Sequence, residues 1–144
     1  MGFFSKKGNE MLTAQLLKII QDCVRIVNST KKPDTYFERY DLLEKTAGEL
    51  STLKGVKFKG EKPADLLQQI KNKKQDNIHD MIERYFEDVS LKAEYLKTVN
   101  AKRNKYYMFI TTLEDYYSVM DNNNIEYTKT LYSNAISVYQ LAKM

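Results

Sequence analysis

Apolar residues recur every three or four positions along almost the whole of this chain, and that spacing limits what it can fold into. Between Asn9 and Ser29, the residues Leu12, Leu16, Ile19, Ile20, Cys23, Ile26 and Val27 fall on one side of a helix, and Lys18, Asp22 and Arg25 fall on the other. The same steps return in Phe37, Tyr40, Leu43, Ala47, Leu50 and Leu53. They recur from Leu66 to Val89, from Ala93 to Met120 and from Ile125 to Leu141. With only 5 Gly and 2 Pro in 144 residues, little interrupts them. The expectation is an all-α fold: a bundle of about five helical segments near 9–29, 33–54, 63–88, 91–120 and 124–142, arranged as antiparallel hairpins.

The breakers place the boundaries. Asn9 can cap the first helix. Pro33 ends the approach to the second and suits its first turn, and Pro63 does the same for the third. Gly48 weakens the second helix by roughly 1 kcal/mol relative to alanine unless a neighbouring backbone needs the space. Gly55 is a helix stop, and residues 55–62, GVKFKGEK, alternate apolar with lysine as an extended connector. Residues 1–8 read as a frayed N-terminus. DNNN at 121–124 is the clearest turn. A helix unbroken from 63 to 120 would reach about 85 Å, so a bend or break is expected near 88–91, where Ser90 could cap a new helix. The length suits a single helical domain over 1–144.

Composition narrows the function classes. The single cysteine, Cys23, forbids an internal disulfide, and no apolar run approaches the roughly 20 residues that a membrane span needs. Together these lead us to expect a cytoplasmic protein. The five glycines fit neither the Walker nor the dinucleotide spacing. Asp76, His79, Asp80, Glu83 and Glu87 share a helix face as di-metal ligands do, but one histidine cannot supply two Glu-x-x-His pairs. A solvated acidic stripe explains them better. Cys23 sits in an apolar stripe, where a thiol behaves as a small hydrophobe. No catalytic residue, metal or cofactor is assigned, and the expectation is that the chain is not an enzyme.

Two features point to partners. Residues 54–74 hold seven lysines against Glu61 and Asp65, a balance of +5, while the whole chain carries +4. Lys57, Phe58, Lys59, Lys71 and Lys73 are the candidate nucleic-acid contacts there, since lysines neutralise phosphates and an aromatic can stack on a base. The span lacks arginine, and a solvated connector explains it better. The second feature is the aromatic C-terminal half. Tyr106/Tyr107 and Tyr116/Tyr117 are adjacent pairs about 100° apart on a helix, so one of each pair can enter a core while the other faces out. Tyr106, Phe109 and Tyr116, with Tyr127 or Tyr132, are the candidate interface of a homodimer paired across a two-fold axis. Another protein could also dock on such a surface.

The opening MGFFSKK, the segment YFERYDLLEK and the connector KFKGEKPADLLQQI resemble small helical proteins of low-GC Gram-positive bacteria and their phages. That group has no assigned activity, so the resemblance implies a bacterial cytoplasmic helical protein and no functional residues. The leading expectation is a non-enzymatic, self-associating helical interaction or structural module, of coiled-coil character. The alternative is a nucleic-acid-associated protein that uses 54–74.

Overall fold

A computed structural model describes residues 6–53 and 62–142. The described chain is all-α: α1 (Lys6–Val27), α2 (Pro33–Ser51), α3 (Pro63–Glu94), α4 (Val99–Glu114) and α5 (Asn122–Ala142), with a 3-10 turn at Tyr117–Val119. Among the described residues no helix is long and apolar enough to cross a membrane. The connector at 55–62 lies outside the described residues except for Lys62, and so do residues 1–5 of the N-terminal segment. Lys6 to Gly8 are helical, and Asn9 sits inside α1 instead of capping it.

The helices form two compact units. Among the described residues, one comprises 6–29, 34–53 and 62–74, the other 30–33 and 75–142. In the first, α1 buries Leu16, Ile20, Cys23 and Val27, and α2 buries Tyr36, Phe37, Tyr40, Leu43, Ala47 and Leu50. Two tyrosine hydroxyls fasten α2 to the start of α3. Tyr40 donates to the Ile70 carbonyl at 2.6 Å, and Tyr36 to the Lys74 carbonyl at 3.3 Å. The lower-numbered residue meets the higher-numbered one, so this pair is antiparallel. The Lys74 ammonium lies 3.3 Å from Glu44 and 5.6 Å from the centre of the Tyr40 ring. A Cβ at Gly48 would meet open space, so no close backbone approach requires that glycine.

The second unit is a three-helix assembly. Tyr85 and Phe86 of α3 stack on Phe109 of α4, Phe86 also meets Tyr106, and Ser90 accepts a hydrogen bond from the Tyr106 hydroxyl at 3.2 Å. These pairings run antiparallel. α4 then packs against α5, where Tyr106 meets Tyr139. The α1–α2 turn belongs to this unit as well, because Arg84 donates to the Thr30 carbonyl at 2.9 Å.

The reversal between the third and fourth helices lies at residues 95–98, not at 88–91. Ser90 is used as an acceptor for Tyr106 and caps nothing, and α3 runs on to Glu94. Thr98 starts the new helix: its backbone is extended (φ −112°, ψ 153°) and its hydroxyl accepts the Ala101 N–H at 3.1 Å. Lys102 reaches back to the Ala93 carbonyl at 3.0 Å, which also accepts the Leu96 N–H, and to the Glu94 carbonyl at 3.4 Å, so its charge sits at the C-terminal end of α3. α4 also stops early, at Glu114, so residues 115–120 form the 3-10 turn and its flanks rather than more helix.

Candidate functional site

The expected partner surface on α4 divides into an interior part and an outer part. Tyr106 (6 % exposed) and Phe109 (0 %) are core residues, buried with Ile110 and Leu113. That corrects their assignment to an interface, since neither has a free face to offer. The steps 106, 109, 110 and 113 make the inward stripe, and the outward residues are Tyr107 (58 %) and Met108. One tyrosine of the 106/107 pair does enter the core while the other faces out, but in the reverse of the expected sense, with Tyr106 inside and Tyr107 outside. Tyr116, Tyr127 and Tyr132 are half-buried.

Tyr127 is the centre of a cluster of ionisable side chains bridging α3 and α5. Its hydroxyl donates to Glu83 Oε1 at 3.0 Å, and His79 Nε2 lies 3.1 Å from that same oxygen. The His79 ring stacks on the Tyr127 ring with centres 4.2 Å apart. Burial, the hydrogen bond to Glu83 and the charges of Glu83 and Glu87 push the Tyr127 phenol up to about 12. Near neutral pH it is thus a fixed proton donor and cannot serve as a base. Glu83 and His79 are each committed to this brace. Asp76, Asp80 and Glu87 are exposed, and among the described residues no group of three or more His, Cys, Asp or Glu could hold a metal ion.

A second polar cluster secures the turn before α5. Asp121 accepts the Asn124 N–H at 2.9 Å as an N-cap. Gln75 of α3 accepts from the Asp121 N–H at 2.9 Å and from Asn124 Nδ2 at 3.1 Å, and it donates to the Val119 carbonyl at 3.2 Å. Asn124 Nδ2 also reaches the Gln75 carbonyl at 3.0 Å, and the buried Thr128 hydroxyl donates to the Asn124 carbonyl at 2.9 Å. Asn124 is buried and makes several of its possible bonds, so this network holds structure.

The remaining candidates are distributed as follows. Lys57, Phe58 and Lys59 lie outside the described residues. Lys71 and Lys73 are exposed on α3, whereas Lys74 is engaged by Glu44. Burial pushes the Cys23 thiol up, against a smaller downward pull from Arg39, and so suppresses the thiolate. A recess is lined, among the described residues, by Glu38, Arg39 and Leu42, all from α2.

The apolar surface most easily overlooked is on α1. Leu12 and Ile19 are each more than a third exposed, Ile26 is half-buried, and Met11 is 61 % exposed. The sequence puts Leu12, Ile19 and Ile26 in the same apolar stripe as the core residues. The structure shows that the stripe is wider than what the fold covers. Protein-family models, curated proteins and solved structures give no match to this chain.

Proposed function

We propose that this chain is a non-enzymatic helical interaction module that pairs with a second copy of itself through the outer flank of α1. The observation that carries this reading is the run Leu12, Ile19 and Ile26. They are seven residues apart on a 22-residue helix and are left partly open beside the buried stripe of Leu16, Ile20, Cys23 and Val27. A seven-residue apolar repeat is the seam along which two helices lie side by side. Two copies can join by the same flank about a two-fold axis, so that Ile19 lies near its own counterpart. Met11 extends the apolar surface at one end, and the exposed Lys18 and Arg25 border it.

Sedimentation equilibrium at tens of micromolar tests the proposal. The parent chain should be a dimer and Ile19→Glu a monomer. Because Ile19 is 37 % exposed, the substitution should leave the far-UV circular dichroism unchanged. A monomeric parent chain, or an Ile19→Glu chain that still dimerises, would end this reading.

A further inference from the structure

The corner between α3 and α4 carries a concentration of charge that the fold does not use. From Lys92 to Lys105 there are five cations, Lys92, Lys97, Lys102, Arg103 and Lys105, against the single acid Glu94. That balance of +4 equals the net charge of the entire chain. Two of the five have internal duties: Lys92 pairs with Asp88 at 2.9 Å, and Lys102 caps the end of α3. Lys97, Arg103 and Lys105 make no ion pair among the described residues.

Helix stability does not account for them. α4 has no acid in its first turn to complement its positive end, and Arg103 and Lys105 lie beyond that turn and far from the C-terminal end where cations would favour the helix. The aromatics at the corner are equally unexplained by folding. Tyr95 is 85 % exposed, and Tyr107 lies on α4 one turn beyond Arg103, with its ring also outward. Asn100 and Asn104 are exposed hydrogen-bonding side chains on the same helix.

Cations that meet phosphates, together with exposed rings that meet bases, form the combination by which proteins hold single strands without reading sequence. An anionic membrane would use the same cations together with one apolar helix face, whereas the exposed aliphatics here, Leu91, Val99 and Met108, lie on two helices, and Val99 and Met108 fall about 180° apart on α4. We propose that the α3–α4 corner, with Lys97, Arg103, Tyr95 and Tyr107 at its centre and Lys105 on the other flank of α4, is a docking surface for single-stranded nucleic acid. It is separate from the lysines of 54–74 and independent of the self-pairing through α1.

Fluorescence anisotropy with a labelled oligothymidylate of about 15 nucleotides, at the upper end of the ~4–16 that one small domain covers, tests this on the full chain. Binding should weaken with salt, with a slope of log K against log salt of about −2 for three phosphate contacts. Tyr95→Ala should weaken binding about tenfold at unchanged thermal stability, as its exposure allows. Replacing Lys97, Arg103 and Lys105 with glutamine should flatten the salt slope. The parallel arms are Lys71→Gln/Lys73→Gln and vesicles of phosphatidylserine with phosphatidylcholine. Three results would overturn the proposal: no binding to the oligonucleotide, binding unaffected by the corner variants but lost with Lys71→Gln/Lys73→Gln, or binding to the vesicles alone.

Discussion

The two units of this chain solve the same problem, attaching a helix to α3, by different means. In the first, the ties are tyrosine hydroxyls that reach carbonyls of a finished helix: Tyr40 on Ile70 and Tyr36 on Lys74. Each such carbonyl already accepts its own helical N–H, so the tyrosine adds a bond to a group that is satisfied without it. In the second, the Gln75 side chain fills the Val119 carbonyl and the Asp121 N–H, at a turn where the backbone leaves helical pairing, while Asn124 braces that side chain. Aromatic stacking of Tyr85, Phe86, Tyr106 and Phe109 adds to it. Hydrogen bonds of equal length therefore differ in consequence: removing the first kind leaves nothing orphaned, and removing the second leaves polar groups stranded.

The largest expected effect is in the aromatic core of the second unit. Phe109→Ala should lower unfolding free energy by about 3–5 kcal/mol, read from denaturant midpoints, because a fully buried ring is replaced by a cavity. A loss under about 1 kcal/mol would show that Phe109 is not a core anchor. Next comes the contrast between the two kinds of tie. Gln75→Ala, which strands two backbone groups, should cost about 1–3 kcal/mol and Tyr40→Phe, which strands none, only about 0.5–1.5 kcal/mol. Equal losses would break the distinction drawn above.

The smallest effect concerns pH. The Tyr127 phenol is raised in the folded chain to about 12 from the ordinary 10, chiefly by burial and then by Glu83. The unfolded chain thus releases this proton first as pH rises. The contribution is whole below pH 10 and is lost between 10 and about 12. Tyr127→Phe should be less sensitive than the parent chain across that window in thermal melts. Identical slopes in the two proteins would remove Tyr127 from the account.

Which parts of this could be read from the sequence follows from what periodicity measures. Three- and four-residue steps identify helix and its inward side, so α1, α2 and α5 emerge close to their true extents. Steps do not say where a helix reverses. At residues 95–98 there is no glycine or proline, and the reversal rests on the Thr98 cap and on Lys102 reaching Ala93. A threonine ahead of a helical stretch is the only trace of it in the sequence.

Phase in α4 was misread, because Tyr107, Ile110 and Leu113 step by three as regularly as Tyr106, Phe109 and Leu113 step by three and four, and the expected interface put Tyr106 and Phe109 outside. Tyr106 shares the 106, 109, 110, 113 pattern and goes inside, whereas Tyr107 is 100° out of step and remains in solvent. The width of a stripe says how much apolar surface exists and not how much the fold covers, so the open flank of α1 needed coordinates. The DNNN turn was plain, but its anchor was not: nothing local links Gln75 to a residue 49 positions away.

That separation also sets an order of events during synthesis. A ribosome adds about 5–20 residues per second, so Gln75 is made some 2–10 s before Asn124 exists to meet it. Through that interval α3 and α4 can form their hairpin, but the side chain that will hold the final turn has nothing to hold. The second unit is therefore closed by the last helix to be made, and a nascent chain arrested before residue 124 would present the α3 and α5-facing surfaces of that unit to whatever is nearby.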